Sequence, residues 1–298
     1  MDSTIFTRQN EARNIAKLAA QKQIYISAKR IFMIQLIITV PCIVILTILK
    51  LLLSLFLNID ITEWIIICAI SITLIDLLLL NPLIAERRKN AAKVQESFDC
   101  SVYDINWNKI FANSKPSNDL IYKFEREFKK SGKDFNKLYD WYPVELASMP
   151  HNRAIVLCQK TNLSYDSALR KKFINLVLIT AFSTLLLLFI FGLLQNYTLK
   201  SFLIQLCASF LPIIYLAIKI TKEQNKTLKS SDELQGAIDA VLEKDVIDSN
   251  DIRQIQDRIF CHRKDSALVP EFFYSKKRNG LETEMHDIAS AYQQNQGK

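Results

Sequence analysis

From Ile31 to Leu57 the chain is apolar almost without a break, and after Asn58-Ile59-Asp60 a second apolar run extends from Ile61 to Ile84. Each run exceeds the ~20 residues that a helix needs to cross ~30 Å of hydrocarbon. So short a break forces the two helices into an antiparallel hairpin. The pattern returns at Phe173 to Leu194 and Leu199 to Ile220, joined by Gln195-Asn196-Tyr197-Thr198. In lipid every backbone N–H and C=O must be paired inside its own segment, so all four runs read as spanning helices. The expected fold is an all-α membrane protein: four transmembrane helices as two hairpins, with helical cytoplasmic extensions.

The polar stretches carry the helical period too. In residues 1–30 an apolar stripe of Ala12, Ile15, Ala16, Leu18 and Ala19 predicts a helix that leads into the first span and packs on the membrane or the cytoplasmic part. Val94, Phe98, Val102 and Ile105 extend the second span as one helix over Glu86 to Phe111. Asn113-Ser-Lys-Pro-Ser-Asn118 is a turn, and Asp119 is placed to cap a helix running to Lys130. Asp140-Trp141-Tyr142-Pro143 breaks the pattern again, and a helix from about Asn152 leads to the third span. Further helices are expected near Asp232–Lys244, Asn250–Arg263 and Leu281–Gln293. The layout is therefore 1–30 cytoplasmic, 31–85 first hairpin, 86–172 cytoplasmic, 173–220 second hairpin and 221–298 cytoplasmic.

Composition changes this picture in one respect. With 50% hydrophobic residues the chain still carries 23% charged ones and a net charge of +8, so roughly two thirds of it belongs in water. The cations flank the spans: Lys29 and Arg30, Arg87 to Lys89, Arg170 to Lys172, then Lys219, Lys222 and Lys226. The hairpin turns offer only Lys50 and Lys200. This places both termini and the central segment in the cytoplasm, with the first helix as an uncleaved anchor. The six cysteines stand singly, without metal-ligand or redox spacing, and read as small buried hydrophobes.

Catalytic chemistry has no visible seat. The five glycines are dispersed, so phosphate-cradling loops and nucleophile elbows are missing, and His151, His262 and His286 stand alone. No cofactor or metal is expected. Polar residues inside the spans say more. Asp76 lies eight residues, ~12 Å, from the inner end of its helix, close to mid-membrane, where an ionisable group is by default functional. Gln35 and Thr39 in the first span, Thr73 beside Asp76, Thr180 in the third, and Gln205 and Ser209 in the fourth line helix faces that suit either a lumen or dry packing. Pro82 leaves the Leu78 carbonyl unpaired just below Asp76, a fixed kink or a hinge. In the C-terminal part Arg258, Arg263, Lys264, Lys276 and Arg278, with Tyr274 interleaved, are candidates for binding phosphates, headgroups or a stacked base, or else form a solvated cationic face.

Several short motifs carry a resemblance: Gln9-Asn10, Gln95-Glu96-Ser-Phe98-Asp99 with Trp107-Asn108, Trp141-Tyr142, and Cys158-Gln159-Lys-Thr-Asn162 leading to Tyr165-Asp166 and Leu169-Arg170. In the tail they continue with Gln256, Arg258, Arg263, Val269-Pro270-Glu271, Tyr274 and Glu282. Over nearly its whole length the chain resembles the SMODS-associated four-transmembrane effectors, pore-forming members of bacterial CBASS anti-phage systems. One departure is Tyr165, where that family's pattern has Trp. The resemblance implies a multi-pass inner-membrane protein that permeabilises the membrane when a cyclic oligonucleotide, made by a cognate nucleotidyltransferase, reaches its cytoplasmic part. Nucleic-acid polymer is not an expected partner. A lone four-helix bundle is filled by side chains, so a conducting path calls for a homo-oligomer or a large rearrangement. A constitutive scaffold or small ion-coupled transporter built around Asp76 is the competing reading.

Overall fold

A computed structural model of the chain describes residues 5–161, 167–194 and 198–271. Every element among them is helical. Their contacts divide the chain into two units: a helical block drawn from residues within 1–28, 85–169 and 226–298, and a spanning bundle drawn from 29–84 and 170–225.

A short helix, α1 (Ile5–Arg8), precedes α2 (Ala12–Leu57), which runs 46 residues without interruption despite Pro41. Asn58 ends it with φ +55°, a left-handed conformation that asparagine tolerates better than most residues, and α3 (Thr62–Ile75) begins the return. The five residues Asp76–Leu80 form a π-helical turn before α4 (Asn81–Tyr103). Pro82 explains its position: the missing N–H would have bonded the Leu78 carbonyl, which lies inside that turn. Ile43, Ala69, Leu188, Phe210 and Ile213 form a buried core to which each of the four apolar runs contributes. Around it large apolar side chains such as Ile45, Ile70, Phe182 and Leu211 face outward. Exposed hydroxyls are satisfied within their own helices, Ser71 donating to the Ile67 carbonyl and Thr180 to that of Leu176 (both 2.8 Å).

In the helical block α4 is the central element. Val94, Phe98 and Val102 recur every fourth residue and are wholly buried, as are Leu18 and Ala19 of α2. The helix stops at Tyr103, short of the expected Phe111, because Asp104 turns left-handed (φ +60°). A short α5 (Lys109–Ala112) follows, capped by Asn108. The cap of α6 (Asn118–Lys130) is Ser117, not Asp119: its hydroxyl accepts the Leu120 N–H (3.2 Å), while Asp119 sits in the first turn, where a carboxylate suits the helix dipole. Phe124 and Phe128 form its buried face. After α7 (His151–Thr161) come α8 (Ser167–Leu194), α9 (Leu199–Phe202), a π-helical turn at Leu203–Cys207 and α10 (Ala208–Leu242). The fourth apolar run is thus split across three helical segments, and α10 continues well past it. Finally α11 (Ser249–Asp265) opens on a capping box made by Asp248 and Asp251. The expected helix at Leu281–Gln293 lies outside the described residues.

Two substitutions test this core. Phe98 is fully buried, so Phe98→Ala is expected to cost about 3–5 kcal/mol. Ile110 is 87% exposed, and Ile110→Ser is expected to stay within ~0.5 kcal/mol. Denaturant midpoints of the full chain in detergent check both.

Candidate functional site

Two polar clusters are buried against the general trend of their surroundings, one in each unit. In the spanning bundle Asp76 opens the π-helical turn and is only 4% exposed. Gln35 of α2 donates through Nε2 to Asp76 Oδ1 and, at 3.0 Å, to Asn81 Oδ1. Asn81 returns an N–H to Asp76 Oδ2 at 3.2 Å. Lys219 of α10 donates to Asn81 Oδ1 and lies 3.6 Å from the Asp76 carboxylate. A carboxylate taken out of water is costly unless neutralised and hydrogen-bonded, and here it is both. The knot ties α2, the α3–α4 turn and α10 together.

The second cluster lies in the helical block, between α4 and α11. Asp99 is fully buried, and its oxygens accept from the Tyr142 hydroxyl (2.6 Å), Gln256 Nε2 (2.9 Å) and Arg263 Nη1 (2.5 Å). One turn earlier, Glu96 accepts from Arg253 and Gln256 (both 2.7 Å). Arg253 also pairs with Asp257 (2.6 Å), which accepts from Asn108 (2.8 Å). Gln159 of α7 joins through Gln256 Oε1 (2.9 Å). Tyr142 is held by its backbone as well, its N–H donating to Gln9 Oε1 (2.7 Å). Burial, with the Asp99 charge adding to it, pushes the Glu96 carboxyl up from its ordinary value. Burial and then Glu96 push the Cys100 thiol up to about 12, so it stays protonated and unreactive at neutral pH.

The sequence candidates fare unevenly. Gln35 and Asp76 meet directly. Thr39 is buried one turn along α2 from Gln35, and Thr73 is half-buried with its hydroxyl on the Ala69 carbonyl (2.9 Å). Pro82 and Thr180 point outward. The side chains of Gln205 and Ser209, together with Tyr274, Lys276 and Arg278, lie outside the described ones. Arg263 is a correction: placed in a cationic surface by its neighbours, it turns inward because Asp99 needs a counter-charge, leaving Arg258 exposed and Lys264 half-exposed beside Asp265 (3.9 Å). Lys219 is another, since it was read as a flank beyond the fourth span and instead reaches the Asp76 carboxylate. Arg170, read likewise as a flank, is buried and donates to Gln224 (2.6 Å). Cys68 is exposed, not buried.

Sequence reasoning passed over Asn81 because positions five apart do not share an α-helical face. It passed over Glu96 and Asp99 as sites, although two carboxylates three residues apart inside the Val94–Phe98–Val102 stripe are an available signal.

Among the described residues the architecture is all-α, with three helices long and apolar enough to cross a membrane. The chain belongs to the SMODS-associating 4TM effector domain family, whose model matches residues 3–292. It is also similar to a Bacillus cereus (strain VD146) protein named "Probable CBASS effector molecule", with 28% identity over 193 residues. That match spans 62% of this chain and 63% of the relative's length. No solved structure matches. The chain is therefore a membrane protein of a 4TM effector family.

The block's cluster gives two predictions. Arg263→Met strands a buried Asp99 and is expected to cost about 3–5 kcal/mol, while the exposed Arg258→Ala stays within ~0.5 kcal/mol; unfolding midpoints separate them. The second concerns pH. Because folding raises the Glu96 pKa, the native state holds this proton longer than the unfolded chain, and stability falls as pH rises from the unfolded value toward the folded one. The wild-type stability minus that of Glu96→Gln should therefore increase as pH is lowered from 7 toward the ordinary glutamate range. A dominant Arg253 pairing gives the opposite slope.

Proposed function

We propose that the protein is the membrane effector of a CBASS-type anti-phage system. It resides in the bacterial inner membrane with both termini in the cytoplasm, and opens a conducting path when a cyclic oligonucleotide from a cognate nucleotidyltransferase acts on its cytoplasmic part. The observation that carries the reading is membership in the 4TM effector family across residues 3–292, joined to helices that change character along their length. Helix α2 is polar to Arg30 and apolar beyond it, α4 follows an apolar run with charged residues, and α10 continues from Pro212 to Leu242. Basic residues collect at the outer ends of the hairpins, against only Lys50 and Lys200 near the turns, which supports the orientation.

The core of the single bundle is filled by Ile43, Ala69, Leu188, Phe210 and Ile213, so conduction requires several copies or a rearrangement. A signal drives that change only by binding the open arrangement more tightly than the closed one. We assign no reaction to the chain; the effector role needs none.

The pairing of buried Asp76 with half-buried Lys219 favours a second reading, an ion-coupled transporter, because intramembrane ionisable pairs also serve as proton or cation relays. One experiment separates the two. Full-length protein in liposomes loaded with a self-quenched dye is mixed with a panel of cyclic oligonucleotides. Release with one or more of them, and none without, is the expected result. Intact vesicles under the whole panel, with gradient-driven cation uptake lost in Asp76→Asn, overturn the effector reading in favour of the transporter.

A further inference from the structure

Asp76 and Asn81 come together only because the turn between them is π-helical. On a regular α-helix, residues five apart diverge by about 140°. Here the Asn81 N–H bonds the Asp76 carbonyl across the π turn, which stacks the two side chains on one face. The result is a small nest of oxygens: both carboxylate oxygens of Asp76 and Oδ1 of Asn81. The two amides fix them in place, Gln35 Nε2 donating to Asp76 Oδ1 and Asn81 Oδ1, and Asn81 Nδ2 donating to Asp76 Oδ2. Carboxylate and amide oxygens are the donor set of hard cations. The nest carries one negative charge, which matches one monovalent cation. It already has such an occupant, the primary ammonium of Lys219, bonded to Asn81 Oδ1 and 3.6 Å from Asp76 Oδ2.

We propose that Asp76, Asn81 and Gln35 form a monovalent-cation site inside the spanning bundle, with the Lys219 ammonium as its tethered occupant, and that a free alkali or ammonium ion replaces it when Lys219 withdraws. An ammonium group and a potassium ion are close in size, carry the same charge and take oxygen ligands. Lys219 lies on α10, which continues to Leu234 and Ile238, both buried in the core of the helical block. A shift of α10 by one helical turn, ~5.4 Å, takes Nζ out of bonding distance of Asn81 and leaves the carboxylate to recruit a cation from water. The site's role in conduction, as a position that selects cations, rests on the pore reading above. Its capacity to bind a cation does not.

Lys219→Ala removes the tethered ammonium and leaves the nest and the space. Full-length Lys219→Ala in detergent is melted in chloride salts of methylammonium, potassium and N-methylglucamine at one ionic strength. The melting temperature is expected to fall by several degrees in N-methylglucamine and to recover by at least half in methylammonium or potassium. Wild type and Asp76→Asn/Lys219→Ala are expected to show no preference among the salts. Equal melting of Lys219→Ala in all three salts overturns the proposal, as does an equal rescue of the double variant. Should Lys219→Ala not survive extraction in N-methylglucamine, recovery of folded protein when methylammonium is present throughout supports the site, and no recovery overturns it. Because no vesicle is involved, cation rescue in a protein that never releases dye sinks the pore and keeps the site. Ligand-driven release without rescue does the reverse.

Discussion

Hydrocarbon offers no partner to a charge, and the spanning bundle is organised by that constraint. An aspartate in the second span must be neutralised from within the protein, and the cation comes from a distant stretch of the chain, on α10. Satisfying Asp76 therefore fixes more than one side chain. It sets the rotation of α2 through Gln35, requires the π-helical turn that presents Asn81, and holds α10 where Lys219 reaches inward. The apolar residues around the knot give packing, and the polar knot adds directional hydrogen bonds to it.

The helical block repeats the logic in water. Asp99 and Glu96 are buried on α4 and answered by Arg253, Gln256 and Arg263 from α11. Such buried pairs are poor sources of net stability against apolar substitutes, yet breaking one partner is costly. They behave as keys to register: α11 docks in the one position that places three donors over two carboxylates. Tyr142, clasped by Gln9 on its backbone and by Asp99 on its hydroxyl, extends the same network to the loop before α7 and to the N-terminal segment.

How far the chain's own pattern reveals this differs by feature. Four apolar runs of spanning length and the helical period of the polar stretches are legible because burial and backbone pairing act locally. Helix ends were harder. Asp104 adopts a left-handed conformation that nothing in an apolar stripe announces, and Ser117 took the cap that Asp119 also suited. Asp76 stood out as an ionisable group among leucines, but its partners did not, since Lys219 resembles an ordinary flanking cation and Asn81 is adjacent only through a π turn. Arg263 shows the converse error: a run of basic residues looks like one surface until a buried carboxylate claims one of them.

The claim on which this account stands is that Asp76 and Lys219 are energetically one unit, and a charge-swap cycle measures it directly. Asp76→Lys and Lys219→Asp each place like charges together, and the two combined restore an opposite pair. Melting of the full chain in detergent should show two destabilised single variants and a double variant that recovers much of the loss, a coupling of about 0.5–3 kcal/mol. Additive losses in the double variant contradict it.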